Sequence, residues 1–268
     1  MLPAAIDSVG AACAHVLLTP DPTSKLMAAR AVARAWRQGR LDARFDTAMP
    51  DRPARPDAPE LMPPNRMPKR GKIGSERARI AMLHALAHIE FVAIDLAFDL
   101  IGRFGGQFSG AFIDQWMQVG AEEAMHFALL DRRLRQMGSH YGALPAHDGL
   151  WQAAEETAAD ALARLAIVPM VLEARALDIT PATIERFDSV GDHVSARMLR
   201  RIMVDEIRHV SAGTIWFNWA TNRLGLDSPK HYQILVKRHF RGALKPPFNA
   251  SARRQAGLTE EFYAALAT

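Results

Sequence analysis

The chain has 268 residues, 49% of them hydrophobic and 23% charged, which is enough to bury a full core and excludes a disordered or fibrous class. One cysteine, Cys13, excludes an internal disulfide framework. The lack of any run of 18 or more apolar residues predicts no membrane span, and an N-terminus without a basic start or small-residue cleavage site leaves the cytoplasm as the expected compartment. The net charge of +4 is uneven: residues 1–72 carry 12 Lys/Arg against 7 Asp/Glu, residues 223–268 carry 8 against 3, and the stretch between carries 13 against 19.

Residues 4–19 and 24–39 read as two short helices parted by Pro20-Asp21-Pro22-Thr23, whose prolines end the first and whose Thr23 can cap the second. They are expected to form a hairpin docked on the outside of the main bundle. Residues 42–71 hold seven prolines and several arginines, so this stretch is expected to run extended as a strap over the surface.

Ser75-Glu76 opens a long helix to about Arg103, and the Gly-rich link 104–110 allows only an antiparallel neighbour, predicted over 111–137 with Gly138 ending it. Residues 138–150 then form a crossover, long enough at ~3.3 Å per residue to span a bundle helix. The third long helix is predicted over 150–177, bent by Pro169. Thr180-Pro181 starts a brief helix to about Ser189, and Gly191-Asp192 resets the chain for a fourth long helix to about Thr221. A helix over 230–240 and a loop over 241–249 complete the chain. The expected domains are 1–72 (hairpin and strap), 73–222 (four-helix bundle) and 223–268 (C-terminal helix and tail packed on the bundle).

Two of these helices carry the same motif. Glu123 and His126, like Glu206 and His209, stand three apart and so share a helix face. A lone pair of this kind means little. However, Glu206 falls among Leu199, Ile202, Met203 and Val210, and Glu123 among Trp116, Val119, Phe127 and Leu130, so both carboxylates point at a core. Glu90 (among Leu83, Leu86, Ala87 and Ile94) and Glu173 (among Leu165, Ala166, Met170 and Leu177) do the same. A buried carboxylate is costly unless paired, protonated or metal-bound. The order Glu, Glu-x-x-His, Glu, Glu-x-x-His is the ligand set of di-iron and di-manganese carboxylate four-helix bundles.

The candidate metal ligands are therefore Glu90, Glu123, His126, Glu173, Glu206 and His209, holding two metal ions. The mixed oxygen and nitrogen donors favour iron, with manganese as the alternative, and the missing thiolates disfavour a structural zinc site. Asp205 is expected to orient His126, and Glu122 to orient His209, through the second ring N–H of each. His84 and His88 stand four apart, but His88 lies nearly opposite Glu90, so both read as surface or supporting residues. Asp95 and Asp99 read as solvated or paired to arginine, and Trp116, Trp216 and Trp219 as packing. Gly120 and Gly213, one turn from ligands, are expected to leave room for O2 or substrate.

Residues 138–151, 169–175 and 205–210, with 52–56 and 244–249, resemble the bacterial ferritin-like proteins grouped as a domain of unknown function. The resemblance covers nearly the whole chain. It implies an all-α fold: a ferritin-like four-helix bundle with an N-terminal helical hairpin, an extended Pro-rich strap and a C-terminal helical extension. It carries no substrate, although distant relatives include a tRNA-modifying hydroxylase and quinone hydroxylases. The expected function is an O2-dependent oxidoreductase, a hydroxylase or monooxygenase, acting on an unknown small or anionic substrate with an unknown electron donor. The basic ends leave nucleic acid open as a partner, and the chain is expected to be a monomer or dimer. Two alternatives stand beside this: iron storage, and a bundle whose metals only hold its helices as a binding module.

Overall fold

The computed structural model describes residues 2–68 and 74–267. Among these the regular structure is helical, with isolated parallel bridges such as Ser8 to Asp42 and Leu61 to Ala146 in place of strands. The chain divides into two compact units, residues 1–151 and 152–268.

The first unit is built from α1 (Val9–Leu17), α2 (Pro22–Arg37), α3 (Glu76–Phe104) and α4 (Gly110–Gln136). Both N-terminal helices start where a side chain accepts a free backbone N–H: Ser8 caps α1 through Ala11, and Asp21, not Thr23, caps α2 through Ser24 with Pro22 in the first turn. The first helix is thus shorter than expected, and the two helices pack on each other as well as on the long helices. Seven of the nine residues of α1 are buried as it packs on α3, and α2 packs on α4. Helix α3, capped by Ser75, and α4 form the expected antiparallel hairpin, with Phe98 beside Gly120 and Phe91 beside Phe127. Helix α4 ends as its sequence predicts: Gly138 takes φ 71°, and Ser139 N–H donates back to the Leu134 carbonyl.

Helix α3 with its following turn, Glu76–Gln107, is long and apolar enough to cross a membrane by length and composition alone, but 67% of its most apolar window is buried in the protein. The core helix of a globular domain has the same character. Its burial is two-sided, because the strap also lies on the α1–α3 side: Ala54 N–H donates to the Leu17 carbonyl, Arg103 to the Pro50 carbonyl, and the Met49 thioether fills the space beside Gly102. The end of the predicted strap, 69–71, lies outside the described residues.

The unit boundary falls inside α5 (Gly149–Glu156). The second unit continues with α6 (Ala161–Ile167), a π-helical turn Val168–Glu173, α7 (Ala174–Ser189), α8 (His193–Arg223), α9 (Ser228–His239), α10 (Ala250–Gln255) and α11 (Glu260–Tyr263). The expected single helix over 150–177 is broken in two ways. Asp160 accepts from Leu162 and Ala163 N–H and starts a new helix, and Pro169, which has no N–H to donate, is followed by π rather than α geometry up to Glu173. Conversely, Thr180-Pro181 starts nothing, because Pro181 sits within α7. Helix α8 begins at its Asp192 cap as expected and pairs with α7. The 241–249 loop is anchored by Asp178, which accepts from Asn249 N–H and from Nε and Nη2 of buried Arg253 at 2.8 and 2.7 Å.

Gly213 lets α8 approach the Pro169 turn. A β-carbon there would lie 2.5 Å from the proline ring, and one at Gly120 would lie 2.6 Å from the Phe98 ring. The space expected to be open at both glycines is therefore filled by close packing. Gly213→Ala should cost about 1–3 kcal/mol through forced displacement of the ring, read as a lower denaturant midpoint at unchanged m value.

Candidate metal centre

In the first unit, Glu90 on α3 faces Glu123 and His126 on α4. Nδ1 of His126 lies 3.2 Å from Oε2 of Glu90 and 3.5 Å from Oε2 of Glu123. All three are buried, with Glu90 7% exposed, Glu123 1% and His126 not at all. The helical register accounts for this: Glu123 and His126 share a face of α4, and the antiparallel pairing that sets Phe91 on Phe127 brings Glu90 opposite them.

The second unit repeats the motif on α8. Nδ1 of His209 lies 3.6 Å from Oε1 of Glu206, and both residues are buried. Each histidine thus turns the same nitrogen, Nδ1, toward a carboxylate of its own helix. That geometry suits a cation held between them and equally a direct hydrogen bond from a protonated ring, so the pair alone does not decide. In the first unit Glu90, Glu123 and His126 are all buried and belong to a group that could hold metal ions. Their donors are carboxylate oxygen and imidazole nitrogen, the set suited to iron or manganese, and burial of several acids is tolerable when a cation offsets their charge.

The other predicted site residues are placed as follows. Glu173 closes the π turn and is half-buried. Asp205 is fully buried and salt-bridged to Arg201 at 3.3 Å and Arg208 at 2.5 Å. Glu122 is half-buried and accepts from Gln118 Nε2 at 3.0 Å.

The second face of α3 differs from its reading as surface. His84 and His88 are buried, and so are Asp95 and Asp99. Asp99 is bound by Arg103 at 2.7 Å, as expected for an arginine-paired acid, and Asp95 by Arg55 of the strap and, unexpectedly, by Lys25 of α2. Tyr141, placed in the crossover by sequence, is buried against Phe91 and Phe127, stacks on His84 and hydrogen-bonds Nδ1 of His88 at 2.9 Å. Burial pushes the Tyr141 hydroxyl well above its usual range and lowers His84 to about 4. Nothing in the local pattern announced these contacts, because the partners come from segments distant in sequence.

Fold and site together define an all-helical protein with a buried carboxylate–histidine group. Over residues 18–264 the chain matches the family described as protein of unknown function (DUF455), and it belongs to that family. A relative in Haemophilus influenzae, described as an uncharacterized protein, is 39% identical over 211 residues, covering 76% of this chain and 73% of the relative. No solved structure matches the chain.

Proposed function

We propose that the chain is a ferritin-like di-metal carboxylate protein acting as an O2-dependent oxidoreductase, with Glu90, Glu123, His126, Glu173, Glu206 and His209 as ligands. The observation that carries this reading is the convergence of Glu90, Glu123 and His126, three buried residues singled out by the doubled Glu/Glu-x-x-His order. A bound pair of iron ions, or of manganese in their place, would supply the electrons for reducing O2. The protein's part is to hold the ions with oxygen and nitrogen donors and to keep bulk water away from them. Asp205 and Glu122 would act as positioning residues for the histidines. Tight packing at Gly120 and Gly213 means that substrate reaches the ions by another route than those glycines.

The test is anaerobic purification from cells grown with iron and manganese, metal analysis, and an optical spectrum before and after admitting air. About two ions per chain and a new near-ultraviolet charge-transfer band on oxygenation are expected. A colourless, metal-free chain would remove the reading. Metal without any oxygen response would favour ions that only hold the helices, and a shell-sized assembly loading many irons per chain would favour storage.

A further inference from the structure

The first turns of α3 and the loop after α4 enclose a cavity of about 860 Å³. Ala81, Ala85 and Ile89 from α3 and Leu144 and Leu150 from the loop give it mostly apolar walls. Among the described residues its polar lining inside is three imidazoles: His84, His88 and His147. The charged residues on its border, Glu76 and Arg77, belong to the exposed first turn of α3.

Two of the imidazoles are held in defined states. Nε2 of His84 accepts from the Gly142 N–H at 2.9 Å and faces the Leu144 N–H at 3.4 Å, so that nitrogen is unprotonated and the ring, assigned from this network, carries its proton on Nδ1. His88 shares its Nδ1 with Tyr141, while its Nε2 is buried beside the backbone of His147. A buried ring nitrogen is desolvated, and a ligand atom hydrogen-bonded to it would offset that cost.

We propose that this cavity binds a small, uncharged, largely apolar molecule that presents a hydrogen-bonding polar end to His84 and His88. The volume lies within the ~300–1,000 Å³ of small-molecule sites, and apolar walls with a few convergent polar groups are the pattern of such sites. Among the described residues the interior carries no carboxylate, ammonium or guanidinium to pair with a charged ligand, and burying an unpaired ion is costly. The occupant is thus a neutral amphiphile rather than an anion, despite the basic character of the chain ends. This site is separate from the metal reading and stands whether or not the chain binds metal.

The test is a fluorescence titration of the full-length chain with Nile red, an uncharged planar dye with one carbonyl end. One saturable site per chain is expected, with emission shifted to the blue. Ala85→Trp, which fills the cavity, should weaken binding by at least about tenfold while leaving the thermal midpoint within a few degrees of wild type. Ala81→Trp reads the same wall if the first variant misfolds. His88→Phe, which keeps a ring but removes the ring nitrogens, should weaken binding several-fold. Anilinonaphthalene sulfonate, similar in size but anionic, should not displace the dye. Absence of saturable binding, binding undisturbed by both tryptophans, or equal competition by the sulfonate would overturn the proposal.

Discussion

His126→Ala and His209→Ala should each lower the metal content of the anaerobically purified chain from about two ions to about one, and the double variant should hold none. The expectation follows from the two local geometries. His126 stands within 3.5 Å of two carboxylates in its own unit, and His209 within 3.6 Å of Glu206 in the other, so on the proposed reading each imidazole would serve a different ion. Neither ring has an exposed surface from which a loosely bound ion could be mistaken for a site, since both are 0% exposed. Removing a nitrogen donor leaves an oxygen-only set at that position, which prefers harder ions and binds iron less tightly. The effect should exceed the ~10–100-fold loss known for residues that merely orient ligands, and Glu122→Gln provides that milder comparison. Thermal stability should follow the metal: an ion present at ~100 times its dissociation constant adds about 2.7 kcal/mol, so the double variant and the chelated wild type should melt together and below the loaded protein. Two ions retained in the double variant would show that the histidines are ordinary hydrogen-bonded core residues.

The long helices and the Glu-x-x-His pairs could be read from sequence because their determinants are local. Ser75 and Asp192 sit at the start of α3 and α8 and cap them, Gly138 closes α4 with positive φ, and the apolar stripes around Glu90, Glu123 and Glu206 recur every three or four residues. The break before α6 depends on one side chain, Asp160, accepting two N–H groups, and no periodicity marks it. The second face of α3 was misread for a related reason. A stripe argument assigns one buried face per helix, but α3 is enclosed by α4 on one side and by α1 and the strap on the other. His84, His88, Asp95 and Asp99 recur at spacings of four, seven and four, and the partners of His88 and Asp95 arrive from 40 to 70 residues away, whereas Asp99 is bound by Arg103 one turn on.

Asp95→Ala should be among the most destabilising single substitutions in the first unit. Asp95 is fully buried and accepts from both Lys25 and Arg55, while the Lys25 ammonium also donates to the Leu17 carbonyl at 3.2 Å. Both cations lie over the Phe91 ring, at 5.5 and 5.4 Å from its centre, which cushions them but cannot replace an anion. Deleting one partner of a buried ion pair costs about 3–5 kcal/mol because the remaining charge stays desolvated, and here two cations would be left. At a chain of this size that corresponds to a fall in melting temperature of roughly 10 °C. Lys25→Met should cost less, since Asp95 keeps Arg55 and the methionine fills the vacated space. The pH dependence separates this from simple packing loss. Burial already holds Lys25 below its usual range, against the pull of Asp95, and removing Asp95 takes that pull away. A lysine depressed in the folded state binds fewer protons there than in the unfolded chain, so stability rises with pH between its folded value and about 10.5. The Asp95→Ala defect should therefore be full at neutral pH and shrink as pH climbs toward 10, while a packing defect would stay constant. A loss below about 1 kcal/mol at pH 7, or one indifferent to pH, would mean that water reaches the triad and that α2, the strap and α3 are not joined by a desolvated charge cluster.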